Sequence, residues 1–251
     1  MSNILRESPL QASIAGLKPT WGELHAMKVA LDFGEPAAER GMMQKLALCD
    51  VSALPRLGIK GPGAAAWLRV EGIEPPAGVY GVRRFDGPVS GELEPRRPNG
   101  SGTSTGRNNE SRGPDFCPGL IAATDRDEYF LEDKANGITI DRLADKLGQG
   151  QAGVYRVERQ DAAILLSGRN VPSVMLQTCG FDFDGNTPAL VMTRVAGVSG
   201  AVWKECVAGM PLIHLWYDAA FGIYLWGELL QIVRENGGDA VGVSCFLSTV
   251  D

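Results

Sequence analysis

Residues 54–70 read LPRLGIKGPGAAAWLRV, and residues 161–179 read DAAILLSGRNVPSVMLQTC. Each opens with a short apolar run closed by a glycine, and each continues into a stretch of helix-compatible residues. The pattern predicts a strand at 54–60, a turn at Gly61-Pro62 and a helix at 63–70 carrying Trp67 and Leu68. It predicts the same order again: a strand at 161–167, a turn at Gly168, and a helix at 170–179 with Val174, Met175 and Leu176 facing inward. Strand, glycine turn, helix, twice over, indicates a duplicated βα unit.

Outward from these units the chain alternates short strands with a few helices. Strands are predicted at 119–124 and 128–133 around an acidic turn at 125–127, followed by a polar helix at about 140–147. Further strands are predicted at 189–196, 200–205 and 211–217, with a last one at 241–247 that suggests no function. Asp218 is a good N-cap for a helix reaching Glu235 and stopping at Gly237-Gly238. Strands in runs mixed with few helices indicate an α+β protein with antiparallel sheets, and argue against a doubly wound nucleotide fold. Residues 87–118 are rich in Gly, Pro, Ser, Asn and Arg and nearly free of apolar side chains, which predicts a flexible linker. Its four arginines, Arg96, Arg97, Arg107 and Arg112, are interleaved with acids, so it reads as roughly neutral. The organisation expected is a first half at 1–86 and 119–150, interrupted by that linker, and a second half at 151–251.

Composition narrows the function classes. The 251 residues are 44% hydrophobic and 22% charged, with a formal net charge of -6, which suits a folded, acidic protein. No basic arm or stripe is present to attract nucleic acid. No uninterrupted apolar run reaches the length of a membrane span, and residues 1–13 lack the apolar core of a signal peptide, so the expected location is cytoplasmic. Five cysteines without a C-x-x-C pair read as reduced thiols, and two histidines are too few for a His-rich metal site.

The candidate sites are weak one by one. Residues 60–63, KGPG, resemble a phosphate cradle, but Pro62 removes a donor N–H, and a plain turn fits better. Strand alternation puts His214 with Trp216 on one face, opposite Leu215 and Tyr217, which suits a packed, hydrogen-bonded histidine. His25 follows a Trp-bearing segment and has no assignable role. Asp125, Asp127 and Glu128 read as a solvated hairpin tip, and Asp182 and Asp184 as a turn without calcium-loop spacing. The helix at 218–235 is apolar over more than one stripe. Either it is central in the core, or one face docks on another chain through Phe221, Tyr224, Leu225, Trp226 and Leu229.

Taken in order along the chain, several segments resemble the glycine-cleavage T-protein superfamily. Residues 47–68, ALCDVSALPRLGIKGPGAAAWL, are similar to its D-V/L-S … G-P-x-A-x-x-W/F-L segment. Trp21-Gly22 and residues 33–39, FGEPAAE, resemble what precedes it, 127–131 (DEYFL) its D/E-x-F/Y-L strand, and 160–168 (QDAAILLSG) its second βα start. Residues 193–203, TRVAGVSGAVW, with 212–226, most resemble the small gamma subunit of heterotetrameric sarcosine oxidase and its N-methyl amino acid dehydrogenase relatives. The resemblance covers roughly 8–235 apart from the linker.

It implies paired, duplicated ferredoxin-like α+β units in a T-protein-like fold, without the C-terminal barrel of full T-proteins. It also implies a setting: a flavoenzyme demethylates an N-methyl amine or amino acid and passes the one-carbon unit to tetrahydrofolate. In that setting an alpha subunit carries the folate and dinucleotide domains, a beta subunit carries the flavin, and a delta subunit completes the assembly. FAD, with FMN and NAD as further candidates, would sit on those subunits.

Two departures matter. The linker stands where T-proteins carry an acidic G-G-I-x-D-D segment. Residues 196–204, AGVSGAVWK, lack the glutamate of the G-Y-T-G-E-x-G-F/Y-E segment. No catalytic, cofactor-binding or metal residue carries over. The expected role is therefore a non-catalytic gamma-type subunit. Its rivals are a stand-alone tetrahydrofolate-dependent aminomethyl or methyl transferase, and a degenerate T-protein-like assembly factor. The latter branch carries a K-G-C-Y-x-G-Q-E signature, and Cys179 instead sits in LQTCG at 176–180.

Overall fold

A computed structural model of the protein describes residues 5–85, 119–183 and 189–247. The linker expected at 87–118 and Asp184 of the acidic turn lie outside the described residues. The first strand–glycine–helix unit is present as the strand Arg56–Lys60 and the helix Ala64–Val70. The second is the strand Ala162–Ser167 and the helix Val171–Thr178. Both glycines have a left-handed backbone, φ +121° at Gly61 and φ +113° at Gly168, which side-chain-bearing residues rarely adopt. A Cβ on Gly168 would stand 2.5 Å from the carbonyl carbon of Lys45, so glycine is required for space as well as for conformation.

The strands form three sheets. Six strands pair in the order Val191–Val195, Val198–Val207, Met210–Tyr217, Ala162–Ser167, Ala47–Asp50 and Asp239–Ala240. Five pair in the order Val82–Phe85, Gly119–Asp125, Glu128–Glu132, Arg56–Lys60 and Tyr155–Val157. A third sheet sets Met27–Asp32 between Arg6–Glu7 and Thr20–Leu24. Pairing is antiparallel except, among the described residues, for two short contacts: Arg6–Glu7 beside Met27–Asp32, and Asp239–Ala240 beside Ala47–Asp50. The protein is a mixed α+β structure.

Side-chain alternation stacks the two larger sheets. Leu48, Ile164, Leu166, Ile213 and Leu215 point to one side of the six-stranded sheet, where they pack with Val174 and with Leu225, Trp226 and Leu229 of the helix Gly222–Glu235. Their neighbours Cys49, Ala163, Leu165, Leu212 and Trp216 point the other way, onto Leu120, Ala122 and Phe130 of the five-stranded sheet. That sheet turns Leu57, Ile59, Ile121 and Leu131 outward beneath Ala64, Leu68, Ile140 and Leu143 of two helices. The order of layers is helix, sheet, sheet, helix. No helix among the described residues is long and apolar enough to cross a membrane.

Two local expectations are corrected. Leu176 is 75% exposed, because Val171, Val174 and Met175 already form the inward stripe and Leu176 lies a further 100° round the helix. Residues 241–247 are not a strand. Only Asp239–Ala240 pairs, after which Gly242 donates its N–H to Glu39 Oε2 (2.8 Å) and Val243–Cys245 winds into a short 3₁₀ turn. Glu39 Oε1 also accepts from the N–H of Phe33 (2.7 Å), so one buried carboxylate ties the C-terminal segment to the three-stranded sheet.

Replacing Gly168 by Ala combines a left-handed φ with a backbone clash, and should cost about 2–3 kcal/mol in urea unfolding. Gly72→Ala is the matched comparison, with φ +82° but open space around the new Cβ. It should cost about 1 kcal/mol.

Candidate functional site

The seam between the two large sheets collects the protein's buried polar chemistry. Glu128, Phe130 and Glu132 alternate into it from one sheet, and His214 and Trp216 from the other. Phe130 meets Trp216 edge-on (centroids 5.3 Å), Trp216 stacks on His214 (5.6 Å), and His214 lies 5.1 Å from Trp203. Arg159 covers the Phe130 ring at one end of this row, and Arg84 covers Trp203 at the other. The rings thus form one column closed by a guanidinium at each end.

Carboxylates hold the column from the side. Glu132 Oε2 accepts from Arg56 Nε (2.6 Å) and from Trp216 Nε1 (2.7 Å), joining the sheets through a pair whose side chains are each 4% exposed. The remaining Arg56 donors reach the carbonyls of Val51, Ser52 and Asp161. Glu205 contacts His214 Nε2 (2.7 Å) and pairs with Arg84. Burial works against its charge, but the His214 hydrogen bond and the nearby Arg84 prevail and hold its carboxyl below the usual value. His214 is the packed, hydrogen-bonded residue that alternation suggested.

At the Arg159 end the seam opens into a cavity of about 390 Å³, lined by Glu128, Phe130, Arg159, Asp161, Met192 and Trp216 among others. Two buried atoms there have no hydrogen-bond partner: the donor Arg159 Nε and the acceptor Asp161 Oδ2. Glu128 approaches Arg159 only at 3.6 Å. An unspent donor and an unspent acceptor beside aromatic rings suit a small planar polar group. Thr124, which also lines the cavity, spends its hydroxyl on the carbonyl of Glu128 (3.3 Å).

Another buried carboxyl lies on the helix side of the six-stranded sheet. Asp50 accepts from the N–H of Ser52 (2.9 Å) and from Ser8 Oγ, which fastens the N-terminal segment to the sheet. Burial raises its carboxyl above the usual range, although the Ser52 and Ser8 hydrogen bonds pull the other way. Burial, with Asp50 adding to it, likewise raises the Tyr217 phenol, whose hydroxyl has no partner.

The other sequence candidates fall away from the seam. The N–H groups of Gly61 and Gly63 are taken by the carbonyls of Asp127 (2.9 Å) and Gly153 (3.0 Å), so residues 60–63 are a turn. His25 Nε2 lies 2.6 Å from the carbonyl of Ala135, and the residue lines a cavity of about 630 Å³ that Arg56, Arg159 and Asp161 also border. Among the described residues no cluster of His, Cys, Asp and Glu gathers into a metal site. The five helix residues offered as a docking face are divided. Leu225, Trp226 and Leu229 are at most 1% exposed inside this chain's own core, whereas Phe221 and Tyr224 are about half exposed. Sequence reading passed over Arg159 and Asp161. The available signal was two opposite charges directly ahead of a strand with no polar residue before Ser167.

No family model matches the sequence, and no curated protein matches it. Solved structures do. The fold is similar to glycine cleavage system aminomethyltransferase T from Bartonella henselae, with a TM-score of 0.64 and 12% identity over 96% of this chain and 61% of that one. The protein thus spans about three fifths of that relative's length. It is also similar to a chain of heterotetrameric sarcosine oxidase from Corynebacterium sp. U-96, with a TM-score of 0.54 and 19% identity over 81% of this chain and 93% of that one. At these identities the likeness is one of fold.

Replacing Glu132 by Leu would strand the buried Arg56 guanidinium and should cost about 3–5 kcal/mol in urea unfolding. Glu132→Gln keeps an acceptor for the Trp216 N–H and should lose less. Asp50 gives a pH test. A carboxyl raised in the folded state weakens the fold as pH climbs above its unfolded value of 3.8. The stability difference between Asp50→Asn and the parent should therefore move in the variant's favour as pH rises. A flat difference across that range would contradict the buried-carboxyl assignment.

Proposed function

We propose that this protein is a small, non-catalytic gamma-type subunit of a sarcosine-oxidase-like flavoenzyme that demethylates an N-methyl amine or amino acid. The observation that carries the reading is its fold likeness to 93% of one chain of a heterotetrameric sarcosine oxidase, a chain somewhat shorter than this one. The strand–glycine–helix unit, present twice, supports the duplicated ferredoxin-like organisation that belongs to this reading. Alpha, beta and delta subunits would be the partners, and FAD, FMN, NAD and tetrahydrofolate would be held on them.

The residues of this chain do not fit tetrahydrofolate. The segment that resembles a folate-contacting stretch brings Ser199, Gly200 and Ala201 to the cavity, and Ala201 presents a methyl group where the motif carries a glutamate. Beyond the cavity, the seam is filled by the aromatic column and its ion pairs.

The docking face is narrower than the sequence suggested. Phe221, Ile223 and Tyr224, each about half exposed or more, crowd the first turn of the helix Gly222–Glu235. Such a patch is costly to leave wet. Native mass spectrometry and a visible spectrum of the protein isolated from its own cells test the proposal. A larger assembly with flavin absorption is the expected result, and Phe221→Ser/Tyr224→Ser should release the chain through a loss of about 2 kcal/mol or more. A colourless monomer would sink the subunit reading. Titration with tetrahydrofolate would then test the transferase rival, for which ligand at 100 times Kd adds about 2.7 kcal/mol of stability.

A further inference from the structure

At the end of the six-stranded sheet remote from Arg159 lies a second cavity, of about 610 Å³. Its floor is apolar: Met43, Phe246 and Leu247 are buried, and Val207 and Met210 half-buried. Its lip is cationic. Arg40 and Gln44 are four residues apart on the helix Pro36–Lys45, so both stand on one helix face. Arg169 joins them through its backbone, whose N–H donates to the carbonyl of Gln44 at 3.1 Å.

Three observations point to a ligand class. Both guanidiniums are exposed, and neither has an ion-pair or hydrogen-bond partner among the described residues. Among the described residues no acidic side chain lines the cavity, although the chain as a whole carries a net charge of -6. Glu39, next to Arg40 in the chain, is committed to the N–H groups of Phe33 and Gly242. A mainly apolar hollow of this size with a few convergent polar groups has the form of a small-molecule site. Guanidinium is the side chain best matched to a carboxylate, which it can hold through two parallel hydrogen bonds. Cys245, also in the lining, is not the reactive centre: burial, with Glu39 adding to it, pushes its thiol up to about 11.

We propose that this cavity binds a small amphipathic carboxylate, its apolar body on Met43, Met210 and Phe246 and its carboxylate between Arg40 and Arg169. The site goes beyond the subunit reading and does not rest on it.

Phenylbutyrate is a suitable probe, with phenylbutanol as the uncharged body of the same shape. Calorimetric titration of the full chain should give saturable one-to-one binding of phenylbutyrate, with amide NMR shifts concentrated at Gly209, Cys245 and Phe246. Arg40→Gln/Arg169→Gln should weaken binding about tenfold or more, the loss of a charge-assisted contact. Because both side chains are exposed and unpaired, circular dichroism of the variant should match the parent. Absence of saturable binding up to about 1 mM would overturn the proposal. So would equal affinity for phenylbutanol, an affinity unchanged in the double variant, or shifts centred elsewhere.

Discussion

The rest of this structure depends on the carboxylate of Glu132, held between the Arg56 guanidinium and the Trp216 indole in the seam of two sheets. A buried charge is tolerated only when paired and fully hydrogen-bonded, and here the pairing is nearly complete. Arg56 uses its Nε on Glu132 and its other nitrogens on three backbone carbonyls. Those carbonyls, of Val51, Ser52 and Asp161, flank the strands Ala47–Asp50 and Ala162–Ser167 where the chain leaves or enters the six-stranded sheet. One cation therefore satisfies polar groups that the crossing of the chain would otherwise leave orphaned in the interior.

That crossing is what makes the layers inseparable. The strand Ala47–Asp50 comes from the first half of the chain yet pairs with Ala162–Ser167 of the second. The strand Tyr155–Val157, beyond the half-way boundary at residue 150, returns to pair with Arg56–Lys60 of the first. Each large sheet thus includes a strand from the other half. The two halves expected from the sequence therefore do not each close a sheet of their own.

The parts of the fold legible in the sequence were those set by neighbours along the chain. Gly61 and Gly168 announced turns because local sterics demand a left-handed φ at both. Asp218 announced a helix start, and its carboxylate accepts from the N–H of Ala220 (2.9 Å), although what it caps is the 3₁₀ turn Ala219–Phe221 that leads into the α-helix Gly222–Glu235. Leu176 and the segment 241–247 were misread because helix phase and a distant carboxylate, Glu39, decided them. For the final helix, periodicity showed an excess of apolar residues without showing which of them this chain covers itself. Arg40 and Arg169 carried no local signal, and Arg159 and Asp161 little beyond their opposite charges, since what distinguishes all four is which of their polar atoms stay unmatched in space.

A resemblance between folds transfers the frame and not the contents of the seam. In this protein the seam is filled by Phe130, Trp216, His214 and Trp203, with Glu132 and Glu205 committed to fixed donors. Groups so tied contribute rigidity, and any rearrangement to receive a large ligand between the sheets would break buried ion pairs at several kcal/mol each. Among the described residues, unspent polar atoms lie where that filling stops, at Arg159 and Asp161, and two unpaired arginines, Arg40 and Arg169, stand near the opposite end of the six-stranded sheet. A protein with a rigid centre and open ends recognises other molecules at its margins.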